Sequence, residues 1–139
     1  MISQMSILHG CLFTEKCENC NEEYFRSFQI ETISFQKTGR ICCSCGGNLR
    51  DTLLDWEDDL PETDWELAVN HCDSADLVIC LGTSLRIEPA GSLPTSAKKF
   101  VIVNLQETPK DEEKNCCLII KARVDDVMKD LMSRLGYEC

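Results

Sequence analysis

The stretch DLVICLGTSLRIEP, from Asp76 to Pro89, decides the fold class. It opens with a short unbroken apolar run that ends at Gly82, which is typical of a strand buried in a parallel sheet. Similar runs and segments of helical periodicity surround it. The predicted strands are 76–82, 99–105 and, more weakly, 117–122, and the predicted helices are 61–72 and 124–135. This order indicates an α/β fold with part of a doubly wound, Rossmann-like parallel sheet.

The turn that follows the first predicted strand is a candidate ligand site. Gly82, Thr83 and Ser84 lie at the carboxyl end of that strand, and Asn104 ends the next strand on the same edge. Ligands of open α/β sheets bind at this edge, although asparagine is also a common turn residue. The chain has no G-x-G-x-x-G motif and no P-loop. These residues alone therefore allow either a nucleotide-binding edge or ordinary turns.

Two C-x-x-C pairs predict a structural zinc site. Cys17 and Cys20 form one pair, Cys42 and Cys45 form the other, and 21 residues separate them. Two such turns facing each other offer four thiolates in a tetrahedral arrangement, which leaves no coordination position for water. Cys43 has the wrong spacing to replace a ligand and is predicted to be spare. A redox C-x-x-C or a chance cluster is the alternative.

The chain has 11 cysteines, an odd number that cannot pair completely within one chain. We therefore expect a reducing compartment rather than a disulfide framework. Apart from Cys43, the cysteines outside the two pairs are interpreted as small apolar residues or surface thiols. They are Cys11, Cys72, Cys80, Cys116, Cys117 and Cys139.

The character of the chain changes near residue 55. Before this point it is rich in Cys, Asn, Gly and Glu, as in a small zinc-ribbon module, and after it the α/β pattern begins. We predict a histidine-bearing segment at 1–10, a zinc-binding module at 11–54 and part of a Rossmann-like domain at 55–139.

His9 stands just ahead of the first cysteine pair, in SILHGCLFTEKCENC (Ser6–Cys20). The residues alone allow three interpretations: a loop histidine, a ligand in a Cys3His zinc site, or a catalytic group.

The formal net charge of −10 makes bare nucleic acid an unfavourable partner, because phosphate binding needs clustered Lys and Arg. No apolar run approaches the length needed to span a bilayer. The first ten residues lack a basic region followed by an apolar core, so no signal peptide is expected.

Several motifs in one order resemble the sirtuin family, and in particular the nuclear class of animal sirtuins. They are LHG ahead of the cysteine pairs, LRDTLLDWEDDLP, ADLVICLGTSLRIEPAGSLP, VIVNLQ and VDDVMKDLMSRLG, and they span Leu8 to Tyr137. The resemblance implies an NAD-dependent protein deacylase that transfers an acyl group from lysine to ADP-ribose and releases nicotinamide. It also implies structural Zn2+, NAD+ as cosubstrate, an acylated protein lysine (a histone among the candidates) as partner, and a nuclear location.

The resemblance assigns roles to individual residues. His9 matches the general base that acts on the NAD ribose, and Trp56 matches a position in the acyl-lysine channel, with core packing as its alternative. The four paired cysteines match the zinc ligands. The remaining matches are Gly82, Thr83 and Ser84 (the turn that contacts NAD), Asn104 and Gln106 (contacts to the adenosine ribose) and Val124 (near the adenine).

One departure from the family concerns the N-terminal half of its Rossmann domain. The G-A-G-x-S phosphate turn, the following Asp-Phe-Arg and the Gln-Asn-x-Asp segment have no counterpart here. Two hypotheses follow. The chain is the C-terminal part of an active deacylase, or it is a catalytically inactive zinc-stapled binding module or truncated isoform.

Overall fold

The computed structural model describes residues 5–137. The chain forms two compact units, Met1–Trp65 and Glu66–Cys139. Cys139 lies outside the described residues. The elements are β1 (Thr14–Cys17), β2 (Glu23–Phe25), β3 (Lys37–Ile41), β4 (Asn48–Asp51), α1 (Glu62–Ser74), β5 (Val78–Leu81), a short 3-10 helix (Ala90–Ser96), β6 (Phe100–Val103), β7 (Cys116–Ile120) and α2 (Val124–Arg134).

The first unit is built on a four-stranded antiparallel sheet in the order β2-β1-β4-β3. Its core cluster consists of Cys17, Cys42 and Leu49, with Tyr24 packed against them, and Ile30 is buried outside this cluster. Two of these three core side chains are thiols, so little apolar surface holds the unit together. A module of this size needs a further staple such as a metal ion.

Two carboxylates are buried in the first unit, Glu15 on β1 and Asp51 on β4, which face each other across the strand pair. Asp51 accepts hydrogen bonds from the backbone N–H groups of Phe35, Gln36 and Leu53 at 2.8–3.2 Å. Buried polar groups need such partners. Asp51 thereby fixes the backbone just before β3 and just after β4.

The second unit contains a parallel sheet in the order β5-β6-β7, which confirms the predicted α/β fold class. The central strand β6 is the most buried, with Phe100 and Ile102 fully buried beside Cys80 and Leu85. Cys80 therefore acts as a small core residue, as predicted, and burial raises the pKa of its thiol to about 11.

The other face of this sheet carries an exposed apolar row. Ile79, Val101 and Leu118 are aligned across the three strands, and side chains in register on parallel strands point to one face. Ile79 is 44% exposed and Leu118 is 52% exposed. Among the described residues, β5 has β6 as its single neighbour in the sheet. Within the described residues β7 likewise pairs only with β6, so both edges of this sheet lack a further strand and part of one face is exposed.

Both predicted helices are present. In α1, Glu62 and Asp64 occupy the first turn, and in α2, Asp125 and Asp126 open the helix while Arg134 closes it. Acidic residues at the amino end and a basic residue at the carboxyl end complement the helix dipole. Within residues 5–137, neither α-helix is long and apolar enough to cross a membrane.

Candidate functional site

The four paired cysteines come together at one end of the antiparallel sheet. Cys17 ends β1 and Cys20 lies in the turn after it, while Cys42 follows β3 and Cys45 lies in the turn before β4. All four Sγ atoms lie within 4.8 Å of one another. Cys17 and Cys45 Sγ are 3.4 Å apart, and Cys20 and Cys42 Sγ are 3.6 Å apart. In tetrahedral zinc sites with Zn–S bonds of about 2.3 Å, the sulfurs lie about 3.8 Å apart.

The turns around the thiols are shaped for this approach. Gly46 has a φ of +73°, a left-handed conformation that glycine adopts without strain. A Cβ atom on Gly47 would lie 3.0 Å from Cys17 Sγ and 2.7 Å from Asn19 Nδ2. The Asn19 N–H donates to Cys17 Sγ at 3.4 Å. The four-sulfur donor set and its close-packed turns therefore fit a structural zinc ion.

Deprotonation of these thiols is favoured at Cys42. The Tyr24 hydroxyl, 3.2 Å from Cys42 Sγ, lowers the pKa of this thiol to about 6. Metal binding requires thiolates, so this hydrogen bond favours the form that binds zinc. Among residues 5–137, the group of candidate ligands contains neither Cys43 nor His9. The geometry thus disfavours the Cys3His alternative.

His9 lies on an exposed turn of the first unit, followed by Gly10. Gly10 has a φ of +79°, and a Cβ atom there would lie 1.9 Å from the carbonyl oxygen of Thr52. Cys11 and Thr52 also exchange hydrogen bonds at 3.2 Å. Only glycine fits this contact, and the contact fixes the backbone beside the imidazole. A cavity of about 250 Å3 adjoins the same segment, lined in part by Ile7, Gly10 and Cys11.

The predicted nucleotide-binding residues gather at the carboxyl edge of the parallel sheet. Gly82 and Asn104 follow β5 and β6, and the Gly82 N–H bonds the Val103 carbonyl at 3.0 Å. Gly82 has a φ of +59°, and a Cβ atom there would lie 3.6 Å from Val124 Cγ2 at the start of α2. Parallel strands end at one edge, which is why residues far apart in sequence meet here.

The loops at this edge are held by local hydrogen bonds. Thr83 Oγ1 accepts from the Leu85 N–H at 3.3 Å, and Asn104 Nδ2 donates to the Gln106 carbonyl at 3.0 Å. Ser84 and Gln106 are exposed. A nucleotide bound at this edge would contact the backbone of these loops, the Ser84 hydroxyl and the Gln106 side-chain amide.

Trp56 lies in the turn between β4 and α1 and is 84% exposed. Its backbone N–H donates to Asp55 Oδ1 at 2.8 Å. Core packing, the alternative role for this side chain, does not apply, because an indole ring so exposed has few packing partners.

Two residues of the first unit were missed by sequence reasoning. Glu15 binds both Arg26 and Arg40 through their Nε atoms, at 2.5 Å and 2.6 Å. Tyr24 reaches Cys42 from β2. An aromatic residue four positions after Cys20 is a usable signal for Tyr24. The Glu15 network has no local signal, because its partners come from distant parts of the chain.

The profile of the Sir2 family matches residues 2–89. The NAD-dependent protein deacetylase SRT1 of Arabidopsis thaliana is 48% identical over 97% of this chain, which covers 29% of that protein. Sirt6 of Drosophila melanogaster, also named an NAD-dependent protein deacetylase, is 40% identical over 96% of this chain, which covers 46% of it. The chain thus spans less than half of the length of either relative.

Solved structures agree with these matches. A Sir2 protein bound to an acetylated peptide has a TM-score of 0.69 at 27% identity, covering 94% of this chain and 56% of its own. A Sir2 complex with a p53 peptide and NAD+ has a TM-score of 0.66 at 28% identity, covering 93% of this chain and 54% of its own. With its zinc-type cysteine cluster and parallel sheet in place, the chain belongs to the Sir2 family.

Proposed function

We propose that this chain carries the catalytic histidine, the structural zinc unit and part of the NAD site of an NAD-dependent protein deacetylase. The observation that carries the proposal is the 48% identity to a deacetylase along 97% of the chain. Because the chain covers 29% of that relative, the activity is proposed for the whole protein that contains these residues.

His9 is proposed as the general base. When bound, NAD would supply the ribose that accepts the acyl group, with nicotinamide as the leaving group. The His9 imidazole takes the proton from a ribose hydroxyl, a task that suits a histidine near neutral pH. Its exposure and the rigid Gly10 contact beside it support this role, because the ring is accessible while its backbone is held.

The carboxyl edge of the parallel sheet is proposed as the NAD-contacting surface. Gly82 is exposed, and the absence of a side chain there supports close approach of a ligand to its backbone. The proposed contacts are Gly82, Thr83 and Ser84 in the turn, Asn104 and Gln106 for the adenosine ribose, and Val124 beside the adenine.

The proposed substrate is an acylated lysine on another protein, with Trp56 lining its channel. The exposed indole ring is available for contact with a substrate protein. Solved relatives bound to acetylated or propionylated peptides support the substrate class. The proposed zinc ion, held by Cys17, Cys20, Cys42 and Cys45, is structural because four thiolates close its coordination.

Replacement of His9 tests the enzyme hypothesis. In the longest natural product that contains this chain, His9→Ala is expected to lower deacetylation of an acetyl-lysine peptide at least ~100-fold. Nicotinamide release, followed by chromatography, should fall in parallel. His71→Ala is the matched control, because His71 is the other histidine within these 139 residues and is exposed on α1. Normal turnover by His9→Ala would remove His9 from the mechanism.

A zinc-stapled binding module without catalysis is the second candidate. The share of its relatives that the chain covers, 29% and 46%, is the observation that favours it for these 139 residues taken alone. It predicts no measurable heat when NAD is titrated into the 139-residue chain in a calorimeter. Stoichiometric binding of NAD would count against it.

A nuclear location and a histone substrate are proposed from the resemblance to nuclear sirtuins. Similarity to sirtuin-7 of Homo sapiens, at 36% identity over 96% of this chain, supports the proposed location. Cell fractionation followed by detection of the protein checks the location. Assays on acetylated histone tails and on an unrelated acetylated peptide of equal charge check the substrate.

A further inference from the structure

We propose that the Tyr24 hydroxyl donates a hydrogen bond to the Cys42 thiolate and holds this ligand in the zinc site. Tyr24 Oη lies 3.2 Å from Cys42 Sγ. The inference rests on zinc occupying the cluster of four cysteines, as proposed above, and is independent of His9 and catalysis.

The hydrogen-bonding partners of Tyr24 decide the direction of this bond. The Cys43 N–H donates to Tyr24 Oη at 3.1 Å, so the oxygen already serves as an acceptor. A zinc-bound thiolate carries no proton, and the hydroxyl must therefore be the donor in its contact with Cys42. The Glu22 carboxylate, 3.1 Å away, is the competing acceptor for the same proton.

The phenol ring is held from two sides. It packs against the core formed by Cys17, Cys42 and Leu49. The guanidinium carbon of Arg26 lies 5.0 Å from the ring centroid, and Arg26 Nε is 2.5 Å from the buried carboxylate of Glu15. A cation is attracted to the face of an aromatic ring, so Arg26 helps to hold the Tyr24 ring beside Cys42. Glu15, Arg26 and Tyr24 thus form a chain of contacts that ends at the zinc ligand.

A hydrogen bond to a metal-bound thiolate has measurable consequences. It draws electron density from the sulfur, stabilises the bound thiolate and fixes its orientation. Groups that bond directly to metal ligands typically change metal affinity by about 10- to 100-fold when they are removed.

The test uses the full chain with Tyr24→Phe, which removes the hydroxyl and keeps the ring. We expect zinc affinity, measured by competition with a chromogenic chelator, to fall about 10-fold. The matched control is Tyr137→Phe, because the chain has two tyrosines and Tyr137 is exposed beyond α2. Equal affinity of Tyr24→Phe and the native chain overturns the proposal.

Substitution of cobalt for zinc separates the hydrogen bond from ring packing. Loss of an O–H···S bond raises the energy of the sulfur lone pair, so the thiolate-to-cobalt charge-transfer band should move to longer wavelength in Tyr24→Phe. The d–d bands of the tetrahedral ion should stay in place. An unmoved charge-transfer band means that the hydroxyl proton serves Glu22 instead, which overturns the proposal.

A third measurement strengthens the hydrogen bond instead of removing it. In the Tyr137→Phe background, Tyr24 is the one remaining tyrosine, so biosynthetic incorporation of 3-fluorotyrosine labels it alone. The more acidic fluorophenol is a stronger donor and should move the band to shorter wavelength. A band that does not respond, or a native chain that binds neither zinc nor cobalt, overturns the inference. Neither result bears on deacetylation, which the His9 variants test separately.

Discussion

Glu15 has no exposed surface, yet it lies on a strand of a small module. Burial raises the pKa of its carboxyl, but hydrogen bonds from Thr38, Arg26 and Arg40 outweigh this effect and hold the pKa below 4.5. Both arginines are partly exposed, at 26% and 38% of their side chains. The buried carboxylate therefore has charged partners that keep contact with water, which reduces the cost of desolvating the network.

Replacing Glu15 by Gln should lower the free energy of unfolding by about 2–3 kcal/mol at pH 7. The reason is that the amide of Gln keeps one acceptor oxygen for two arginines, so one buried charge-assisted hydrogen bond and the carboxylate charge are lost. Urea unfolding of the zinc-loaded chain, followed by circular dichroism, measures the change. Glu23→Gln is the control, because the Lys16–Glu23 pair is exposed and 3.6 Å apart, and it should change stability by less than ~0.5 kcal/mol. Equal effects of the two variants would contradict the assignment.

Asp111 provides a test of pH dependence in the second unit. The Thr108 hydroxyl, 2.6 Å away, and the Lys121 ammonium, 3.0 Å away, lower the pKa of Asp111 below 3.8 against a burial effect of opposite sign. Asp111 therefore stabilises the folded unit above pH 3.8, and this contribution is lost as the pH falls through the lowered pKa.

Thr108→Val should move the titration midpoint of the Asp111 carboxyl upwards, because the strongest hydrogen bond to its ionised form is removed. The midpoint is measured from the carboxyl 13C chemical shift by NMR. Thr63→Val in the first turn of α1 serves as the control. An identical midpoint in Thr108→Val and the native chain would show that the hydroxyl does not control this group.

At the scale of elements, we expect the antiparallel sheet to depend on a zinc ion bound by the cysteine turns. The first unit has a core of Cys17, Cys42 and Leu49, and two of these side chains are predicted zinc ligands. The parallel sheet has an apolar core of its own, in which Phe100 and Ile102 are fully buried. Loss of the metal should therefore affect the two sheets differently.

Chelation should unfold the strands at residues 14–51 while α2 keeps its structure. Hydrogen exchange with mass spectrometry, with and without a zinc chelator, measures this for each segment. Cys45→Ser should reproduce the effect and lose zinc, whereas Cys43→Ser should retain it, because Cys43 is exposed and lies outside the cluster. Simultaneous loss of protection in both units would contradict separate stabilisation.

At the scale of the whole molecule, the parallel sheet leaves apolar surface open. Ile79, Val101 and Leu118 form a row on one face, and within residues 5–137 no strand other than β6 pairs with β5. Exposed rows and edges of this kind favour association with other sheets or chains.

We expect the 139-residue chain to self-associate as its concentration rises. Sedimentation velocity over a range of concentrations measures the association. Ile79→Lys should reduce it, because a charge on the open face opposes the burial of that face. Lys99→Glu, an exposed change outside the row, is the control. A native chain that stays monomeric at every concentration would contradict the prediction.

Much of the fold could be predicted from local sequence patterns. The apolar run before Gly82 predicted a parallel strand, and the spacing of the cysteine pairs predicted four thiols that the structure brings within 4.8 Å. The periodicity of 124–135 predicted α2, which ends one residue earlier. Each of these features depends on residues close in sequence, where strand and helix periods and turn spacing carry the information.

The rest depends on contacts between distant segments. Glu15 meets Arg40 because β1 and β3 both pair with β4, and Tyr24 meets Cys42 because β2 pairs with β1. A glutamate in an acidic chain gives no sign that it will be buried. For this protein, the sequence by itself determined the parallel sheet, the two α-helices and the four clustered thiols, whereas the pairing of the antiparallel strands emerged only in the structure. Tertiary structure alone decided which polar side chains are buried around those thiols, because strand pairing selects their partners.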